Sequence, residues 1–404
     1  MTFYAKDGRI KTNGTHTHLY RIKLQYWVCF MCNMENLQVN TQAAKDEIKV
    51  TVVMPVYNAE DYLRPALDSV IDQTLREIEI ICIDDGSTDK SLEIIKEYQS
   101  TDSRIRIVTE NNAGPSTARN KGIVRARGKF IAFLDADDFY EATLLEELYN
   151  FAESEGLDIA VADYDIYNSK KAKFMAAMDS DYGTIFSAKP VTSKNEYPDY
   201  ILQATTGYVW NKLFRREFVS EKGLAFLPEL YVFEDVHFVT TALSMAERIG
   251  KISKVLAHHR VYSAQSRART FRKHYAEVPK VYVKIKEFLM HRGMYVPLKR
   301  SFLNLAASRC YSIYNLLWFD GKEKFWSILH SEYAELLDWH LRQKGDFERY
   351  DVCDFVMNVV LYDHSVYLRR VDKGVKLKHE RFGELSRANR FGKKIWSFFG
   401  KKTK

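Results

Sequence analysis

The sequence predicts an α/β architecture: a mixed, mainly parallel sheet with helices on both faces, followed by a C-terminal helical region. Three observations predict it. Between residues 49 and 150, short aliphatic runs alternate four times with stretches of helical periodicity, as parallel strands joined by crossover helices do. The runs are continuously apolar rather than alternating, as expected for strands buried on both faces. With 46% hydrophobic and 28% charged residues over 404 positions, the chain has a globular composition and more length than one ordinary domain needs. This composition excludes wholesale disorder, a collagen-like repeat and a small disulfide scaffold. No apolar run approaches the roughly 20 residues needed to span a bilayer. The 5 cysteines, an odd and scattered set, suit a reducing cytosol.

Taken in order, residues 1–45 lack periodicity and are expected to be a poorly ordered N-terminal extension. Cys29 and Cys32 form a lone pair without a second ligand pair nearby, so they read as incidental rather than as a zinc site. The apolar stretch Tyr26 to Met31 is too short for a signal peptide and has no small-residue cleavage site. Met34 opens a polar lead-in and reads as the natural start, so truncation to Met34 is expected to leave activity intact. Val50–Val56 is the first strand. A helix follows with Leu63, Leu67, Val70 and Ile71 on one stripe, and Pro65 must sit in its first turns. Ile78–Ile83 is the second strand, then a helix over about Asp89–Tyr98, a strand over Arg104–Val108, a helix over Ser116–Ala126, and a fourth strand Phe130–Leu134. Asp158–Ile166 reads as another strand, ahead of a polar stretch at 168–200. Residues 268–370 read as a helical appendage, with Tyr282, Phe288, Phe302, Leu303, Tyr311, Tyr314, Leu317, Trp318, Phe325 and Trp326 as core stripes.

The formal net charge is +7, and it is unevenly placed. Residues 371–404 hold 11 Lys and Arg against 3 Asp and Glu, a surplus of +8 that leaves the rest at −1. The charge therefore does not read as a nucleic-acid surface. The tail mixes Phe391, Ile395, Trp396, Phe398 and Phe399 with lysines. It reads either as an interfacial anchor on an anionic membrane or as a solvated terminal run. The expected organisation is an extension at 1–45, a catalytic domain at 46–267 with halves 49–150 and 151–267, a helical region at 268–370 and the basic aromatic tail.

In open α/β sheets ligands bind beyond the carboxyl ends of the strands. Here the first strand ends in Pro55-Val56-Tyr57-Asn58, the second in Asp84-Asp85-Gly86-Ser87-Thr88-Asp89, and the fourth in Asp135-Ala136-Asp137-Asp138. Two acidic clusters this close imply a cation unless some carboxylates stay protonated. Asp135 and Asp137 fall on one side of an extended chain, and hard oxygen ligands suit Mg²⁺ or Mn²⁺ shared with phosphates. Asp89 reads as a helix cap or an Asx-turn residue. Neither glycine-rich phosphate loop is present. Gly114 to Gly122 supplies instead a turn into a helix, with Arg119 one turn in, which reads as an anion site or as a capped helix with a surface arginine.

Val52-Val53-Met54-Pro55-Val56-Tyr57-Asn58, Ile83-Asp84-Asp85-Gly86-Ser87-Thr88-Asp89, Ala118-Arg119-Asn120-Lys121-Gly122 and Phe133-Leu134-Asp135-Ala136-Asp137-Asp138 together resemble the ordered signature of the family 2 glycosyltransferases. The resemblance is tight over 49–150 and looser to 267. It implies the GT-A (Rossmann-like) fold and an inverting transfer from a nucleotide-diphosphate sugar, with UDP expected as the nucleotide. Pro55 and Tyr57 would line the base, Asp84 or Asp85 would bond its ring nitrogen, and Arg119 would lie against the nucleotide. Asp135 would contact the ribose and Asp137 would bind a Mn²⁺ or Mg²⁺ bridging the diphosphate. Asp138 would orient its neighbours.

The resemblance continues in Trp210-Asn211-Lys212, an element that supports the acceptor site or else is an aromatic packing corner, and in Glu234-Asp235, whose aspartate would be the general base. Inversion in one displacement needs a carboxylate that takes the acceptor hydroxyl's proton. Glu234 would raise that base's pKa or bond the acceptor; the plain alternative for the pair is an acidic helix start. Arg260, after His258 and His259, would neutralise the departing diphosphate. The implied acceptor is a saccharide or lipid-linked glycan in cell-surface polysaccharide synthesis, and the implied location is cytoplasmic, peripheral on the inner membrane face. A sugar-nucleotide pyrophosphorylase would need a Gly-rich loop after the first strand, which is absent. A non-catalytic saccharide-binding scaffold would tend to lose one of Asp135, Asp137 and Asp235.

Overall fold

The computed structural model describes residues 47–177, 185–186, 189–261, 274–341 and 346–372. The readings placed on residues 1–45, on Cys29, Cys32 and Met34, and on the basic tail beyond Asp372 lie outside these residues.

The continuous apolar runs form strands as their burial requires. β1 (Val50–Val56), β2 (Ile78–Asp84), β3 (Ile105–Thr109) and β4 (Phe130–Phe133) alternate with helices α1 (Leu63–Ile71), α2 (Ser91–Thr101) and α3 (Pro115–Arg125). Then come β5 (Phe139–Tyr140), α4 (Leu144–Ser154), β6 (Ile159–Asn168), β7 (Lys173–Ala176), β8 (Val191–Thr192), β9 (Lys212–Arg215), α5 (Arg216–Glu221), α6 (Glu234–Met245) and β10 (Ile249–Val261). The main path of the sheet is β3-β2-β1-β4-β9-β6-β10-β5, with β7 beside β6 and β8 beside β10. Its four first strands run parallel, as do β6 and β10, while β9 inserts antiparallel between β4 and β6. The sheet is thus mixed, with its longest ladders parallel. β1 lies between β2 and β4, so the strand order turns outward from β1 and leaves a crevice at its carboxyl end.

Alternation along β1 divides the interior. Val50, Val52, Met54 and Val56 face α1, α2 and α4, whereas Val53 faces the opposite side with Ile131 and Phe133. In α1 the buried residues Leu63, Ala66, Leu67 and Val70 keep helical spacing, and Pro65 sits in the first turn. Each such aliphatic side chain contributes about 1.5–3 kcal/mol by burial. α3 rides so close to β1 that a Cβ at Gly122 would come within 2.2 Å of the Val53 side chain. That contact fixes where Arg119, one turn earlier, is delivered.

The C-terminal helices α7 (Val278–His291), α8 (Tyr295–Leu316), α9 (Phe319–Ile328), α10 (Tyr350–Leu361) and α11 (His364–Asp372) share one apolar core with the Val53 face of the sheet. Tyr282, Phe302, Leu303, Tyr314, Phe325 and Trp326 are buried there as the sequence stripes require. Trp318 departs from that expectation. It is 75% exposed, because it is the residue that precedes α9 rather than a member of a helical stripe. Among the described residues, no helix is long and apolar enough to cross a membrane.

Candidate active site

The ends of β1 and β2 are fastened to each other. Val56 lies opposite Asp84 in the ladder, and the Asp85 amide donates to the Val56 carbonyl at 2.8 Å. Asn58, held at φ 48, donates its amide to Ser87 Oγ (3.1 Å) and accepts the Thr88 amide on Oδ1 (2.8 Å). Pro55 is half-buried, and Tyr57 stands 47% exposed at the rim. Asp84 and Asp85, left equivalent by the sequence, differ in the fold. Both Asp85 oxygens accept backbone amides, from Ala113 (2.7 Å) and Gly114 (2.8 Å), whereas Asp84 accepts one, from Ser87 (3.3 Å). The anion at the start of α3 is therefore the protein's own Asp85. Asp89 accepts the Ser91 amide two residues on (2.9 Å), the Asx-turn alternative read for it, and the Glu60 amide (3.0 Å).

Arg119 is not a surface residue. Its guanidinium is buried, donates to Asp135 at 2.6 Å and to Glu234 at 3.0 Å, and lies 5.2 Å from the Phe226 ring. Burial opposes its charge, but the carboxylates of Asp135 and Glu234 hold it firmly protonated. One cation thus ties the end of β4 to the first turn of α6, 115 residues on. Asn120 fixes the strip beneath: its side chain exchanges hydrogen bonds with the backbone N–H and carbonyl of Phe226 (2.9 and 2.8 Å).

Glu234 and Asp235 open α6 behind Phe233, a bulky residue in the left-handed region at φ 56. Such a conformation costs about 1–3 kcal/mol and persists where the surroundings impose it. Asp235 is pushed up to about 7, first by desolvation and then by the Glu234 carboxylate, with Arg119 pulling the other way. Asp135 and Glu234 both bond Arg119, and the Glu234 carboxylate beside Asp235 adds to the desolvation that favours its neutral form.

The turn that carries Asp137 and Asp138 is pinned to β10. β5 pairs Phe139 with His258, Arg260 N–H donates to Asp138 Oδ1 at 2.8 Å, and Arg260 Nε donates to the Asp137 carbonyl at 2.8 Å. The Arg260 guanidinium sits among Phe139, Tyr167 and Tyr62, 5.1–5.5 Å from each ring. His259 Nδ1 lies 3.1 Å from the buried Asp138. Burial opposes protonation of His259, but Asp138 prevails and pushes it up to about 9. Desolvation in turn pushes the Asp138 carboxyl up, so the two groups hold one proton between them in a buried hydrogen bond, and Asp138 orients its neighbours. His258 is held between Asp165 (2.6 Å) and Glu141 (2.9 Å).

Asp137 is half-buried in this turn. Among the described residues no three His, Cys, Asp or Glu side chains gather as a metal cluster. The donor set still fits a hard divalent ion of the kind that binds through one or two carboxylates and takes its other ligands from phosphates and water.

Trp210, Asn211 and Lys212 were expected on the acceptor side as contacts. All three are buried and bonded within the protein, so the element forms the floor of the site rather than its surface. Trp210 stacks on Tyr208 (4.9 Å) and on His259 (5.3 Å). Asn211 donates to the Ala162 carbonyl at 2.7 Å. Lys212 Nζ donates to the carbonyls of Thr206 and Tyr208 and to Asn211 Oδ1 at 2.7–2.9 Å. Desolvation pushes Lys212 down to about 7, and these acceptors match the three N–H bonds of its ammonium form. The sequence reading missed Tyr208 and Gly207. A Cβ on Gly207 would come within 2.6 Å of Val236, against the first turn of α6. Its signal was available: a glycine three residues before Trp210.

The site therefore joins Pro55, Tyr57, Asp84 and Asp135–Asp138 on the strand ends to Glu234, Asp235 and Arg260, with Arg119 between. The family description "Glycosyl transferase family 2" matches residues 51–221, which carry the three strand-end motifs and the α3 motif. Residues 51–221 form a family 2 glycosyltransferase domain. The chain is 33% identical over 215 residues to the uncharacterized glycosyltransferase EpsJ of Bacillus subtilis, covering 52% of this chain and 60% of EpsJ. It is 32% identical over 218 residues to the cholesterol galactosyltransferase of Borreliella burgdorferi, covering 51% and 58%. The match thus spans about three fifths of these curated relatives. Among solved structures, S. aureus TarS 1–349 in complex with UDP-GlcNAc superposes with a TM-score of 0.64 at 20% identity, covering 82% of this chain and 93% of TarS 1–349. The family 2 domain and the helices after it share that GT-A fold.

Proposed function

We propose that this protein transfers a sugar, with inversion, from a nucleotide-diphosphate donor to a hydroxyl of a saccharide or lipid-linked glycan in cell-surface polysaccharide synthesis. The observation that carries the reading is the Arg119 bridge between Asp135 and Glu234, which sets the metal-and-nucleotide edge beside the enclosed Asp235 carboxylate. UDP is the favoured nucleotide, since TarS binds UDP-GlcNAc on the same fold.

In this reading Pro55 and Tyr57 line the base, Asp84 accepts from its ring N–H, and Asp135 meets the ribose. Asp137 would hold Mn²⁺ or Mg²⁺, which when bound supplies positive charge to the diphosphate. Arg260 adds a fixed cation on the same side. Asp235 receives the acceptor hydroxyl's proton as the new C–O bond forms and the bond to the diphosphate breaks. Glu234, engaged with Arg119, keeps Asp235 basic enough for that step. Trp210, Asn211 and Lys212 shape the acceptor side from below. The tail at 371–404 is proposed to hold the enzyme at the cytoplasmic face of an anionic membrane.

A panel of UDP- and GDP-sugars assayed with Mn²⁺, without acceptor, tests the donor reading by slow hydrolysis. Metal-dependent hydrolysis of a UDP-sugar is the expected result. Neither hydrolysis nor calorimetric binding of UDP with Mn²⁺ would leave a non-catalytic scaffold.

A further inference from the structure

One corner of the C-terminal helices holds aromatic side chains in solvent. Trp318 is 75% exposed and Phe319 is 63% exposed, adjacent in the chain where α9 begins. Leu316, the last residue of α8, and Leu361, the last of α10, are half exposed. The corner is built rather than loose. The Lys322 amide donates to the Trp318 carbonyl at 2.9 Å, which ties Trp318 to the first turn of α9. The Tyr314 hydroxyl and His364 Nε2 lie 3.0 Å apart, and the rings of His364 and Phe319 are 6.4 Å apart. Trp326 Nε1 donates to the Tyr362 carbonyl at 2.9 Å. These contacts bring the end of α8 and the start of α9 against the link between α10 and α11. α11 stacks Tyr367 on Trp326 (4.3 Å), carries Arg369 and Arg370, and ends at Asp372. Its end is about 12 Å along the helix from His364. The segment that starts there, residues 373–404, holds 11 Lys and Arg against 2 Asp and Glu.

A single exposed apolar residue needs no explanation, but neighbouring ones held open on a fixed element mark a surface that something covers. A second copy of the chain is a poor fit, since a specific protein interface takes about 20 residues a side and this corner offers four apolar side chains. A bilayer interface fits better, because tryptophan settles at the level of the lipid headgroups. The corner itself is close to neutral: Lys322, Lys324, Arg369 and Arg370 are offset by Asp320, Glu323 and Asp363. Its positive charge arrives with the basic segment that begins beside it. Stable interfacial anchoring takes two signals, an apolar insertion and an attraction to anionic headgroups. We propose that Trp318 and Phe319, flanked by Leu316 and Leu361, form the apolar half of a two-part contact with an anionic bilayer, the basic segment being the other half. The inference rests on the membrane reading of the tail and adds to it a contact made by the folded helices. It also explains why Trp318 is left outside the core that its neighbours in sequence enter.

The test is co-sedimentation of the full chain with vesicles of phosphatidylcholine, alone or mixed with phosphatidylglycerol. The wild type is expected to sediment with the mixed vesicles and far less with the neutral ones. The double variant Trp318→Ser, Phe319→Ser should partition into mixed vesicles at least about tenfold more weakly, with an unchanged thermal melt, since both side chains are exposed. A full-length variant with Lys393, Lys394, Lys401, Lys402 and Lys404 changed to Gln should lose the salt-dependent part of binding, which the double variant keeps. Brominated phosphatidylcholine in the mixed vesicles should quench tryptophan emission more in the wild type than in Trp318→Phe. Equal partition of the double variant and the wild type, or equal quenching, overturns the corner and leaves the tail as the anchor. Tighter vesicle binding by the double variant also overturns it and makes the corner a cover for the tail. So does a wild-type dimer that the double variant dissociates while vesicle binding is unchanged. A lysine variant that binds like the wild type would instead remove the tail reading, and no vesicle binding by the wild type removes both.

Discussion

The donor-facing edge and the base-facing edge of this site are made in different ways. The first is assembled from neighbouring strand ends, cross-linked by short hydrogen bonds such as Asn58–Thr88 and Asp85–Gly114. Asn58 and Asp85 are bonded within the protein. The second hangs on α6, entered through a strained Phe233 and backed by Gly207 and the C-terminal helices. There the Asp235 carboxyl is pushed up to about 7, first by desolvation and then by Glu234. The difference teaches that, on the proposed reading, the nucleotide side is cross-linked within the strand ends, whereas the perturbed carboxyl lies on the proposed acceptor side.

The largest effect should come from breaking the one bridge between the two edges. Arg119→Met leaves Asp135 and Glu234 without their cation, and removing one partner of a buried ion pair costs about 3–5 kcal/mol. Chemical denaturation should show that loss, with donor binding and turnover falling together. Gly207→Ala should separate the edges. Its methyl group presses on Val236, so overpacking of about 1–3 kcal/mol is expected, turnover should drop, and UDP affinity should hold.

How far these contrasts were legible in the sequence follows the same division. The motifs at 52–58, 83–89 and 133–138 are contiguous and sit at the ends of runs whose burial is readable, so the donor edge could be placed residue by residue. Arg119 could be named but not placed, since its partner Glu234 is 115 positions away and no periodicity links them. Trp210–Asn211–Lys212 could be named from the resemblance as supporting the acceptor site, but its depth could not be read. Its burial depends on Tyr208, His259 and Ala162, which reach it from separate segments. Trp318 looked like core because it follows a helical stripe, but the helix ends at Leu316.

A third contrast is in pH. Only the unprotonated Asp235 accepts a proton, so transfer should fall about tenfold per unit below about pH 7 and level off above it. The sign for stability is opposite. A carboxyl raised above its ordinary 3.8 favours the folded state below that value, and the contribution is lost as pH rises through about 7. Thermal melts at pH 8 should therefore show Asp235→Asn to be more stable than the wild type by a few degrees. The smallest effect belongs to the rim. Tyr57→Ala removes one exposed ring from the cradle and should weaken UDP binding by about 0.5–1.5 kcal/mol, read by calorimetry, without altering the pH profile.

The central claim is that donor capture and proton removal reside on separate edges, the second on Asp235. Steady-state turnover and Mn²⁺-dependent UDP binding of Asp235→Asn, measured on one preparation, test it most directly. The account predicts turnover lowered by about 10² or more, with UDP affinity equal to that of the wild type. Substantial turnover by the variant, or UDP binding lost along with it, would contradict the account.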